Sequence, residues 1–400
     1  MTSANTPRTL LGGLTPAQFL SQHWQKSPLL IRGALPDLVS PLEPDDLAGL
    51  ACEEGIEARL VEEHGPEKPW QVSHGPFDDA TFSRLPSSGW SLLVQAVDHY
   101  VPEVAELLEA FDFVPSWRLD DVMVSYAPPG GSVGAHVDQY DVFLLQASGK
   151  RRWQLGGSPG DQAQLIAGID LRILEDFSVE AGQEWVLEPG DMLYLPPGVA
   201  HHGISESDDC MTFSIGFRAP SADEIVTGFA DYIGEQLGDD RRYGDADLQP
   251  PLHVGELDDQ AIARVRELLL DAIDRPEQMA QWFGRAMTQP KYLDQVVPAE
   301  SATAPSALRA SLERGDRLSR SPGSRFAWRR QDESQAILFV DGDAILCDPE
   351  LARYLAAETC IDAGVLDYPE SERVLAALVD SGSLSSADEE DEVSGSGEIL

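Results

Sequence analysis

The stretch from residue 117 to 220 restricts the fold most. It contains DVMVSYAPPGG, YDVFLLQASG, RRWQLGG, EWVLEPGD, MLYLPPG and CMTFSIGF, and each apolar run ends in Gly, Pro or both. Runs this short match strands, not long helices, and Pro and Gly preset the dihedrals of the turns between them. The spacing predicts an antiparallel sandwich or small barrel.

The flanks differ in texture. Before 117, Thr15-Pro16 reads as a helix start, the run PLLIRG as a strand, and DHYVPEVAELLEA (98–110) as a helix. Residues 221–299 are helical in pattern, with Ser221 and Glu224 spaced for a capping box. Their apolar faces predict a homodimer contact or packing within the chain. Residues 300–380 combine helices with RFAWRR and AILFVDGDAILCD, a hairpin pattern with a DG turn, which suggests a winged-helix-like domain. Residues 381–400 are acidic and Ser/Gly-rich and are expected to be a disordered tail. The expected domains are therefore 1–220, with its barrel core at 117–220, then 221–299, 300–380 and the tail.

Charge limits the partners. Lys and Arg number 28 against 69 Asp and Glu, a formal charge of −41. Such a chain repels nucleic acid and anionic membrane surfaces at long range and attracts basic proteins. Only four of the basic residues are Lys, so adaptation to a salty cytosol explains the acidity equally well. Seven Arg between 305 and 330 reverse the sign locally. That patch reads as a solvated, ion-paired face in preference to a DNA footprint. The four Cys are scattered with no C-x-x-C, the N-terminal residues do not read as a signal peptide, and no apolar stretch is long enough to span a membrane. The expected compartment is the cytoplasm.

The chemistry lies in GAHVDQYDVFLLQ. His136 and Asp138 are two apart in a strand-like run, so both side chains share one face. His201 or His202, after a rigid Pro-Pro-Gly turn, supplies a third ligand. His201 is the expected one, since adjacent residues of an extended segment point oppositely. Two His and one carboxylate form the facial triad of non-haem Fe(II) oxygenases, although the ligand types alone also admit manganese. H-x-D by itself is a common chance pair; the order H-x-D, strand, PGD turn, PPG-x-x-H is far more specific. In GKRRWQLG, alternation groups Arg151 with Trp153 and Leu155, facing the interior. A buried guanidinium there needs an anion, either a small dicarboxylate or a structural Asp or Glu. The Ser125 hydroxyl reaches the same cosubstrate or caps the turn after it. Tyr126, Tyr140 and Tyr194 line the pocket or pack in the core.

HVDQYDVF, GKRRWQLG, LYLPPGVAHHG, SIGFRAP and the N-terminal FLSQHWQKSPLLIRG together resemble the JmjC-type cupin oxygenases, specifically the bacterial ribosomal oxygenases. The resemblance covers nearly all of residues 10–380. It implies a mainly β fold with α: a double-stranded β-helix (jelly-roll, cupin) barrel, a helical dimerisation region and a C-terminal winged-helix-like domain. It implies Fe(II), 2-oxoglutarate as cosubstrate and O2, with His136, Asp138 and His201 on the metal. Arg151 and Ser125 are implied to hold the cosubstrate. The implied substrate is a basic large-subunit ribosomal protein, hydroxylated at C3 of an arginine with release of succinate and CO2. The rival readings are the same chemistry on a histidine or a demethylated lysine, a non-enzymatic cupin that only binds, and a DNA-bound regulator.

Overall fold

The computed structural model describes residues 6–64, 70–160 and 163–386, and the chain divides into two compact units, Met1–Ala219 and Pro220–Leu400. The first unit holds twelve strands among its described residues. Four precede the expected barrel core: β1 (Leu29–Ile31), β2 (Ala58–Glu63), β3 (Trp70–His74) and β4 (Trp90–Val94). Eight follow: β5 (Leu119–Ala127), β6 (His136–Val137), β7 (Val142–Ser148), β8 (Arg151–Leu155), β9 (Glu184–Leu187), β10 (Met192–Leu195), β11 (Ala200–Ser205) and β12 (Cys210–Phe217). One sheet runs β1-β10-β7-β12-β5-β4-β2-β3 and the other β6-β11-β8-β9, with every pair antiparallel.

The two sheets face each other across an apolar layer. Val142 and Leu144 of β7 and Leu193 and Leu195 of β10 pack there against Trp153 and Leu155 of β8. The alternate residues Phe143, Leu145 and Tyr194 point the other way, into a second core that includes Phe19 of the helix Pro16–Gln22. Period-two alternation therefore sorts each strand between an inner and an outer layer. The helix starts where expected, with Thr15 and Gln18 closing a capping box.

Two expectations for the first unit change. The region before 117 is no mere extension, since β1 to β4 complete half of the larger sheet. The helix expected over 98–110 is broken: Val97–His99 and Leu107–Phe111 are 3-10 turns around a short α-helix, Pro102–Glu106. Pro102 has no N–H to continue a helix and starts a new one, leaving Val101 extended.

The second unit begins with Ala222–Gly234, capped by Ser221 and Glu224 as predicted, followed by Asp259–Ile273 and Pro276–Thr288. Strands β13 (Leu318–Arg320), β14 (Phe326–Arg330), β15 (Ala336–Val340), β16 (Asp343–Cys347), β17 (Cys360–Ile361) and β18 (Leu384–Ser386) alternate with helices Pro305–Arg314, Pro349–Ala357 and Ser371–Asp380. Asp341 and Gly342 both take positive φ, 50° and 88°, the hairpin turn that DG predicts. The boundary expected at 299/300 falls inside a packed body. Gly284 of helix Pro276–Thr288 lies against the Phe339 ring so closely that an added Cβ would stand 2.4 Å from it. The expected tail also starts later: β18 pairs with β13, so residues 381–386 are ordered, and 387–400 lie outside the described residues.

Candidate metal centre

The pairing of β6 with β11 builds the site. His136 and His201 stand directly opposite each other in the antiparallel register. Their rings lie 4.2 Å apart between centroids. Asp138 Oδ2 is 3.9 Å from His136 Nε2 and 3.5 Å from His201 Nε2. One ligand atom from each of the three lies within 4.8 Å of the others, and no other such cluster occurs among the described residues.

The backbone sets which nitrogen each ring offers. His136 Nδ1 lies 3.0 Å from the Gly134 carbonyl, and His201 Nδ1 lies 3.0 Å from the Val199 carbonyl. A carbonyl only accepts, so each Nδ1 carries the proton and each Nε2 lone pair faces the cluster, the arrangement metal-bound histidines use. Burial, and then the neighbouring His136, push the His201 pKa down to about 4. His201 is therefore neutral at pH 7, as a ligand must be. His202 points away, with its Nε2 2.9 Å from Ser132 Oγ and its ring edge-on to Phe177. The choice between the two histidines follows the alternation of β11.

Arg151 is 3% exposed and begins β8 on the inner face with Trp153 and Leu155. Its Nε and Nη2 are buried without a hydrogen-bond partner among the described residues. The guanidinium lies 5.8 Å from the Trp153 ring centroid. Leaving a buried cation unpaired is costly, so this donor pair fits an anion that enters the barrel. Among the described residues no Asp or Glu pairs with these two nitrogens. Trp153 in turn depends on Gly203, across the β8–β11 pairing: an added Cβ there would stand 2.7 Å from the indole.

Ser125 lies opposite Thr212, which lies opposite Gln146. Gln146 shares its face of β7 with Val142 and Leu144, so all three polar residues face the barrel interior. The Ser125 hydroxyl donates to the Thr212 carbonyl at 3.4 Å. The tyrosines separate. Tyr126 packs on Trp90 and donates to the Asp208 carbonyl, and Tyr194 is buried in the outer core. Tyr140 hydrogen-bonds the Asp138 carboxylate. Sequence reasoning missed Asp141, fully buried at the start of β7. Its signal is an acid placed directly before the apolar run VFLLQA.

Two facing antiparallel sheets carrying two histidines on adjacent strands, with a carboxylate just past the end of one of them, define a cupin-type metal-dependent oxygenase scaffold. Residues 106–225 match the JmjC domain model, and residues 267–385 match the ROXA-like winged helix model. The chain is 38% identical to the ribosomal protein uL16 3-hydroxylase of Escherichia coli strain K12, over 91% of this chain and 95% of that one. It superposes on the X-ray structure of E. coli YcfD with a TM-score of 0.82 at 37% identity, covering 92% of this chain and 97% of that one. A structure of YcfD, a ribosomal oxygenase, in complex with cobalt and 2-oxoglutarate gives a TM-score of 0.80 at 36% identity, covering 94% and 98%. This chain belongs to the JmjC-domain ribosomal oxygenase family.

Proposed function

We propose that this protein is an Fe(II)- and 2-oxoglutarate-dependent hydroxylase that acts on C3 of an arginine in ribosomal protein uL16. The Arg151 guanidinium, whose Nε and Nη2 lie buried without a hydrogen-bond partner among the described residues in the same barrel as His136, Asp138 and His201, carries this reading. It makes the barrel a seat for a small dicarboxylate beside a metal and not a closed structural core. The uL16 target rests on the relative's name and the arginine on the resemblance of motifs.

In this reading His136, Asp138 and His201 would hold Fe(II). Arg151 binds the distal carboxylate of 2-oxoglutarate, with the Ser125 hydroxyl as a second donor. When bound, the pair would supply the oxidative decarboxylation to succinate and CO2 in which one oxygen atom of O2 enters succinate and the other an unactivated C–H bond. Tyr140, bonded to Asp138, steadies that carboxylate. Val142, Leu144, Leu155, Leu193 and Leu195 keep the interior dry, which strengthens the Arg151 interaction.

The net charge of −41 suits a basic substrate. Of the seven arginines between 305 and 330, Arg309, Arg314, Arg329 and Arg330 are ion-paired with Glu372, Asp316, Glu277 and Glu350. Arg320 is buried against Phe326. That pairing favours a protein substrate over a nucleic-acid one. Val226, Ile262, Val265 and Leu269 are more than half exposed on the first two helices of the second unit, which supports a homodimer through this region. No helix among the described residues is long and apolar enough to cross a membrane, and a ribosomal-protein substrate favours a reaction in the cytoplasm.

The deciding experiment supplies the purified protein with Fe(II), 2-oxoglutarate, ascorbate and uL16. The expected result is one succinate per hydroxylation and a 3-hydroxyarginine in the fragment spectrum. Hydroxylation of a histidine would keep the chemistry and change the target. Absence of succinate with uL16 and with basic peptides would favour a binding module.

A further inference from the structure

A buried polar cluster lies behind the loop that carries Asp138. That loop joins β6 to β7, and Asp141 ends it. Three donors converge on the Asp141 carboxylate. The Tyr194 hydroxyl donates to Oδ1 at 2.6 Å, while Gln25 Nε2 and Arg118 Nη2 donate to Oδ2 at 3.0 and 3.3 Å. The Asp141 carbonyl accepts the Phe217 N–H at 3.0 Å. The donors are themselves fixed. The Gln25 N–H donates to the Tyr194 hydroxyl at 2.8 Å, and Arg118 Nε donates to the Arg218 carbonyl at 2.6 Å. The Arg118 guanidinium also lies 5.4 Å from the Trp24 ring centroid. Gln25 holds a φ of 56°, a left-handed conformation that a residue other than Gly keeps only where its surroundings enforce it.

At the other end of the loop, the Asp138 carbonyl accepts the Gly198 N–H at 2.8 Å. Only Gln139 and Tyr140 separate the two fixed points. A buried ion pair contributes little net stability over an apolar pair of equal volume, so stability is a weak reason for this cluster. Direction is a stronger one, because a carboxylate with three donors admits a single placement of the loop.

We propose that Asp141 is a positioning residue for the metal carboxylate Asp138. Through it, the entry segment ending at Gln25 belongs to the support of the metal centre. The proposal rests on the metal reading of His136, Asp138 and His201. Partners behind a metal ligand typically change metal affinity by roughly 10–100-fold when removed.

The test titrates Co(II) into full-length protein with 2-oxoglutarate, following the visible absorption band and the affinity, alongside the thermal midpoint. Asp141→Asn is expected to weaken Co(II) binding by about 10-fold or more and to alter the band. Gln25→Ala and Tyr194→Phe each remove one donor and are expected to weaken it by smaller factors. Leu47→Ala, a core truncation in the helix Pro44–Leu50, shows what destabilisation alone does. If Asp141→Asn lowers the midpoint as Leu47→Ala does but leaves affinity and band unchanged, the proposal is overturned. If Asp141→Asn does not fold, unchanged affinity in both Gln25→Ala and Tyr194→Phe overturns it instead. A wild-type protein that binds no Co(II) overturns the metal reading itself.

Discussion

A buried guanidinium with two unpaired nitrogens separates stability from activity in a way few residues do. Replacing Arg151 by Met removes the charge and keeps the aliphatic stem against Trp153, so the free protein should melt no lower than the parent. The same change removes the anion's partner. A hydrogen bond to a charged group contributes about 1.5–3 kcal/mol, so the KM for 2-oxoglutarate should rise roughly 10–100-fold. Melting curves with and without 2-oxoglutarate, beside succinate assays, check both halves. The two adjacent histidines make a second contrast. His201→Ala removes a ligand and should abolish metal binding. His202→Ala loses the bond to Ser132 and the ring contact with Phe177 and should retain most of it, as isothermal titration with Co(II) or Fe(II) would show.

Elements were legible in the sequence where local chemistry decides them. Ser221 with Glu224 announces a helix start, and Ser221→Ala should cost about 1 kcal/mol, measurable as a lowered denaturant midpoint. The DG pair sets the β15–β16 turn, and the two-residue spacing of His136 and Asp138 places both on one face. What stayed hidden depends on distant partners. β2 and β3 belong to the larger sheet because they pair outward from β4, and nothing in ARLVEE or WQVSH names that neighbour. β13, β17 and β18 have three residues or fewer, too short to show alternation. The outward turn of Tyr194 and the burial of Asp141 follow from contacts with Gln25, which precedes them by more than a hundred residues.

At the scale of the whole molecule, the acid excess raises the question of pH. Asp98 is buried, and desolvation outweighs its neighbour His99 and the Val122 N–H bond, holding its pKa up at about 6. A carboxyl whose folded pKa is raised contributes stability that is fully present below the unfolded value, about 3.9, and is lost as pH rises through 6. Asp98→Asn keeps an oxygen for the Val122 N–H and removes the ionisation. Its melting temperature relative to the parent should be highest at pH 7–8, with the advantage shrinking as pH falls towards 4. A difference that stays constant across that range would rule the ionisation out.

The closing of the larger sheet also has a place in time. β1 pairs with β10, and Gln25 reaches Tyr194 across 169 positions of chain. During synthesis the entry segment emerges early and waits for its partners, and β12 follows later still. A nascent chain that ends before His201 has neither the third ligand nor the strand that carries it. The metal centre therefore cannot be complete until synthesis has passed His201, when nearly all of the first unit has been made.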